Sequence, residues 1–132
     1  MRRVAFVVSA LSDEKLQGLK RDATRVYTAL TDLEVGGCSD SPSPLIGCQS
    51  QTDFNNVLYS IVKDWKITDQ LIFYFSGHGF IRGTKYCLRL AKTNNVGIDD
   101  FILFDNFINN LKSFDVQNAI LIIDACHSGA AI

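Results

Sequence analysis

The 132-residue sequence predicts a three-layer α/β fold, with a mostly parallel central sheet and helices on both faces. Three observations predict it. "VAFVVSA" (4–10), "LIFYF" (71–75) and "NAILIID" (118–124) are unbroken apolar runs, the pattern of strands buried on both faces. Apolar residues recur at helical spacing in the segments between them. Strands alternating with helices then imply parallel strands covered by those helices. The length fits one domain, and an apolar fraction of 47% is enough for a sizeable core.

Taken in order, residues 4–10 form the first strand. Leu16, Leu19, Ala23, Val26, Tyr27, Leu30 and Leu33 share one face, so 14–33 reads as an amphipathic helix. "GGCSDSPSPLIG" (36–47) is rich in Gly, Pro and Ser and predicts a loop. A second helix spans about 53–66, with Phe54, Val57, Leu58, Ile61, Val62 and Trp65 on one face and Thr52 as its N-cap. "QLIFYFSGHGF" (70–80) is a buried strand that breaks at Gly77. A turn at Gly83 leads to a short strand, "KYCLRLA" (85–91), followed by a loop, "NNVGIDD" (94–100). Phe104, Phe107, Ile108, Leu111 and Phe114 mark a third helix before the strand at 118–124.

Composition excludes several classes. Thirteen basic and 14 acidic residues give a net charge of −1, without the basic stripe of a nucleic-acid binder. No apolar run approaches the ~18 residues of a membrane span. "MRRVAFVVSALSDEK" has too short an apolar stretch and no small-residue cleavage site, so it is not read as a signal peptide. Without a secretion signal, Cys38, Cys48, Cys87 and Cys126 are expected to be reduced thiols in a cytoplasmic protein. No pair has C-x-x-C spacing and only two histidines exist, which argues against zinc.

Open α/β sheets place their sites at the carboxyl ends of the strands. Two strands end in unusual chemistry, one in "SGHG" (76–79) and the other in "DACHSG" (124–129). Side by side, such strands lie ~4.8 Å apart, so His78 and Cys126 are expected to meet above the sheet. An imidazole beside a thiol makes a nucleophile at neutral pH. The amides of Gly79 and Cys126 are candidates for an oxyanion hole. His127 is the rival base, but neighbours on an extended segment point to opposite faces, which favours His78. Asp124 ends an apolar strand, where an acid is costly to bury without a purpose or partner. Ser128 and Gly129 read as turn residues. A cysteine phosphatase would need an arginine soon after the cysteine, and residues 127–132 contain none.

"FYFSGHG" and "IIDACHSG" resemble the two catalytic motifs of the caspase–metacaspase group of cysteine peptidases, with histidine first and cysteine 48 residues later. "LQGLKRDATRVYTAL" (16–30) resembles the group's first helix, and "DACHSG" is closest to metacaspases and bacterial relatives. The resemblance implies a caspase-like fold and a cysteine endopeptidase acting on protein or peptide substrates. Cys126 would be the nucleophile and His78 the base. It also implies that Asp124, with Asp22 from the first helix, lines the first specificity pocket. Two carboxylates there favour cleavage after Arg or Lys. Related enzymes often act in regulated cell death or defence. Some metacaspases bind calcium through acids between the two motifs. Asp99 and Asp100 alone fall far short of the six to eight oxygens calcium takes, so no cofactor is expected, though calcium activation stays open. The group's catalytic cysteine lies near the end of the large subunit. Residues 1–132 therefore match the large-subunit portion, and a small-subunit segment is expected to complete the cleft against an exposed sheet edge. Ile132 does not fit self-cleavage after a basic residue. A non-catalytic caspase-like scaffold is the alternative function.

Overall fold

The computed structural model describes residues 1–10, 17–48, 50–90 and 97–125. Its centre is a four-stranded, all-parallel sheet. The strands are β1 (Arg3–Ala10), β2 (Leu45–Cys48), β3 (Gln70–Ser76) and β7 (Ala119–Asp124), in the order β2-β1-β3-β7. The helices are α1 (Gln17–Thr31), α2 (Gln51–Val62) and α3 (Phe104–Ser113). A second, antiparallel sheet contains β4 (Gly79–Arg82), β5 (Lys85–Arg89) and β6 (Phe101–Leu103). The expected α/β architecture with a mostly parallel central sheet is thus present.

Strand alternation explains the layers. On β1 and β3, Val4, Phe6, Val8, Leu71, Phe73 and Phe75 face one side and join Phe54, Leu58 and Ile61 of α2 with Phe107 and Leu111 of α3. Their rings form one aromatic cluster. Phe6 lies 4.9 Å from Phe54, Phe73 lies 4.7 Å from Phe107, and Phe54 lies 5.5 Å from Phe107. Full burial stabilises by roughly 1.5–3 kcal/mol per ring, so this face dominates the core. Ala5, Val7, Ile72 and Tyr74 point the other way, under Ala23, Val26, Tyr27 and Leu30 of α1.

Several local expectations change. Part of the predicted loop at 36–47 is β2, which pairs in parallel with β1 through Val8↔Leu45 and Ser9↔Ile46. It is too short, and follows two prolines too closely, for its pattern to stand out. The N-cap of α2 is Ser50 rather than Thr52; Ser50 Oγ accepts from the Asp53 amide at 3.0 Å. The helix ends at Val62, four residues before the predicted end. Gly83 does make the predicted turn, a two-residue connection between the paired Arg82 and Lys85, and its φ of +64° is what such hairpins need.

Among the described residues, coverage by helices on both faces does not extend to β7. Ile120 and Ile122 on its α1-side face are 46% and 43% exposed, because α1 sits over β1 and β3. Among the described residues, β7 is also an edge of the sheet.

Candidate active site

The two motif-bearing strands are neighbours. β3 and β7 run parallel in a register that ends at Ser76↔Asp124. At that end the Gly77 amide donates to the Asp124 carbonyl at 3.3 Å, tying the "SGHG" turn to the strand that leads into "DACHSG". A Cβ on Gly77 would lie 3.1 Å from Phe75 Cζ and 3.3 Å from Ala10 Cβ, so close packing reserves the position for glycine. Cys126, His127, Ser128 and Gly129 lie outside the described residues.

His78 is exposed, between β3 and β4. Its carbonyl accepts from the Arg89 amide at 2.9 Å. That bond makes 78 and 89 a hydrogen-bonded pair of the antiparallel β4–β5 ladder. Gly79, opposite Leu88, then occupies the alternate position, where the N–H turns away from β5. The buried Gly79 amide therefore aims to the side away from its hairpin partner.

Asp124 is exposed, so the cost of burying an acid does not explain it. Asp22 is exposed on α1, directly before the fully buried Ala23. Both carboxylates act on one buried group. Burial pushes the Tyr74 phenol up from its ordinary value; the Ser76 hydroxyl opposes this, and the charges of Asp124 and Asp22 add to it. Asp124 ends the strand beside Tyr74, and Asp22 precedes Ala23, which packs in the same layer as Tyr74. Sequence reasoning passed over Tyr74 and Ser76. Their only signal was polarity inside an apolar run, and an aromatic in such a run reads as core.

Asp99 and Asp100 do structural work. Asp99 Oδ1 accepts from the amide and the hydroxyl of Thr52, each at 3.3 Å, in the first turn of α2. Asp100 Oδ2 accepts from the Gly97 amide at 2.7 Å. Residues 97–100 are therefore a largely exposed turn pinned to the start of α2. Among the described residues, no group of three or more His, Cys, Asp or Glu side chains is placed to hold a metal ion. Among them, too, no helix is long and apolar enough to cross a membrane.

A cavity of about 630 Å³ opens at the opposite end of the sheet, lined by Arg2, Arg3, Asp40, Asp64, Lys66 and Asp69 among others. It lies by the amino ends of β1 and β3, away from both motifs, and is not the candidate active site.

Comparison with known proteins agrees with this geometry. No curated protein matches the chain. The family model described as Caspase domain matches residues 2–132. With nearly every residue inside that match and the two motif strands paired side by side, the chain belongs to the caspase domain family of cysteine peptidases.

Proposed function

We propose that the protein is a cysteine endopeptidase that cuts after Arg or Lys using a His78/Cys126 dyad. The observation that carries this reading is the β3–β7 pairing, which sets the residue preceding the "GHG" turn opposite Asp124, two residues before Cys126. His78 takes the proton from the Cys126 thiol. The thiolate attacks the scissile carbonyl carbon, and the carbonyl π electrons move to oxygen. As the tetrahedral intermediate collapses, the C–N bond breaks and His78 returns the proton to the leaving amine. Water, deprotonated by His78, then releases the acyl group from the cysteine.

The Gly79 amide, turned away from β5, is suited to meet the developing oxyanion together with the Cys126 amide. Asp124 at the end of β7 and Asp22 on α1, both exposed, supply the negative charge that selects a cationic side chain. The open β7 edge and its exposed Ile120 and Ile122 suit a further segment, in the manner of the family's small subunit, that completes the cleft.

The test is intact mass after exposure of the full-length protein to two thiol-reactive peptide probes, one carrying Arg and the other Asp beside the warhead. An adduct from the Arg probe alone, lost in Cys126→Ala, is the expected result. An adduct from the Asp probe alone overturns the pocket assignment. No adduct from either favours a non-catalytic scaffold.

A further inference from the structure

Tyr74 packs in the core layer under α1, but that packing gives no role to its hydroxyl, and the catalytic step does not use it. It lies on β3 between the two elements that carry the pocket acids. Its strand neighbours are Val7 on β1 and Ile122 on β7, and it packs in the layer that holds Ala23 of α1. Asp22 immediately precedes Ala23, and Asp124 follows Ile122 by two residues on the same sheet face. The residue is 7% exposed, and its β7 side borders the uncovered Ile122.

Ser76 adds an independent observation. It lies on the same face, two residues on, directly opposite Asp124, and is fully buried. The hydroxyls of Tyr74 and Ser76 are near enough to influence each other, but among the described residues Ser76 Oγ has no hydrogen-bond partner of ordinary geometry. An unsatisfied buried hydroxyl opposite an exposed carboxylate is a feature that native proteins rarely leave without a use.

We propose that Tyr74 is a specificity-determining residue, its hydroxyl oxygen forming the neutral floor beneath Asp22 and Asp124 and accepting a hydrogen bond from the substrate's guanidinium. This rests on the Arg/Lys reading above. The chemistry separates the two basic side chains. A guanidinium is planar and spreads five N–H donors over three nitrogens, so donors that do not face the two carboxylates can use a third acceptor below them. An ammonium carries three donors and is satisfied by the carboxylates and water. A phenol also remains neutral where a third carboxylate would add like-charge repulsion. The floor therefore favours Arg over Lys and acts on binding rather than on bond breaking.

The experiment is steady-state kinetics of the full-length protein on matched peptides ending in Arg or Lys. Wild type is compared with Tyr74→Phe, Tyr74→His and Tyr27→Phe. Tyr27 is a control from the same layer, because its hydroxyl donates to the Ser41 carbonyl at 3.5 Å. Tyr74→Phe is expected to raise KM for the Arg peptide about tenfold, leaving kcat and the Lys peptide nearly unchanged. Tyr74→His restores a polar edge and recovers part of the Arg preference, while Tyr27→Phe leaves the preference alone. Equal losses on both peptides, a loss confined to kcat, or no change in Tyr74→Phe overturns the proposal. A histidine variant as poor as phenylalanine does the same. Asp124→Asn separates the two levels. If wild type prefers Arg and Asp124→Asn abolishes that preference, a negative Tyr74 result counts against Tyr74 alone. If wild type cleaves the Arg and Lys peptides no better than a matched peptide ending in Asp, the pocket reading fails and takes the Tyr74 role with it.

Discussion

The Gly77 amide donates to the main-chain carbonyl of Asp124 at 3.3 Å, so the turn before His78 is tied to the last residue of β7. This bond joins the two halves of the proposed dyad through backbone alone. The side chains around it can vary only as far as the Gly77 packing allows.

Gly77→Ala tests that limit. The added Cβ meets Phe75 Cζ at 3.1 Å and Ala10 Cβ at 3.3 Å, and both neighbours belong to the packed strand layer. Overpacking of this kind costs about 1–3 kcal/mol, or the turn moves instead. A displacement of ~1 Å at a catalytic group costs on the order of 10²-fold in rate. The expected outcome is a lowered Tm together with a fall in kcat. Wild-type kcat and Tm in this variant would show that the turn has slack.

The assignment of the base gives a sharper contrast. His78→Ala should lower kcat by roughly 10²–10⁴, the usual contribution of a positioned acid–base group. His127→Ala should leave kcat within a few-fold. The reverse pattern in peptide-cleavage assays would move the base to His127.

Two of the four thiols should be silent. Cys38 and Cys87 are fully buried. Burial raises both above the ordinary thiol value, with Arg3 opposing the effect on Cys38 and Arg82 opposing it on Cys87. The thiolate is the reactive form, so a raised pKa lowers reactivity at every pH below it. Brief iodoacetamide treatment of the native protein at pH 8, followed by peptide mapping, should leave Cys38 and Cys87 unmodified and alkylate Cys126. Labelling of Cys38 or Cys87 as fast as in the urea-unfolded chain would contradict their burial.

How far these features were legible depended on the length and periodicity of each element. β1 and β3 announce themselves because a strand covered on both faces must be apolar at every position, and β7 carries the same apolar pattern although its α1-side face is open. Phe54, Leu58 and Ile61 likewise mark α2. β2 and β6 have four and three residues, too few for any period, and exist because a neighbouring strand offers them hydrogen bonds. The motifs at His78 and Cys126 were readable as local patterns. Tyr74 was not, because its meaning comes from α1 and β7 arriving on either side of it. The contact of Asp99 with Thr52 was not legible because the two lie 47 residues apart.

Asp69 belongs to the same illegible class and controls the far end of the sheet. It is an acid in the turn "KITDQ", yet it is only 3% exposed. Its carboxylate accepts from the Lys66 amide at 3.0 Å and the Arg2 amide at 3.2 Å, and the Arg2 guanidinium lies 3.4 Å away. Burial alone would raise its pKa, but the two amide bonds and the charges of Arg2 and Lys66 outweigh burial and hold it below the ordinary carboxylate value. A carboxyl with a lower pKa folded than unfolded stabilises the fold above the unfolded value of about 3.9. That contribution is lost as pH falls through the folded value. Asp69→Asn keeps one acceptor oxygen but loses the charge, so it should cost about 1–3 kcal/mol at pH 7. The difference from wild type should shrink toward zero as urea-unfolding curves are taken from pH 5 down to pH 2. A difference that stayed constant across that range would assign Asp69 a purely steric role. The clamp matters beyond stability because it fastens the start of β1 to the turn that launches β3. The Gln70 amide bonds the Arg2 carbonyl at 2.8 Å in the same place, and the β1–β3 register continues from there to Ser9↔Ser76. A slip of one residue at Asp69 would turn Tyr74 and Ser76 to the opposite face of the sheet, away from Asp22 and Asp124.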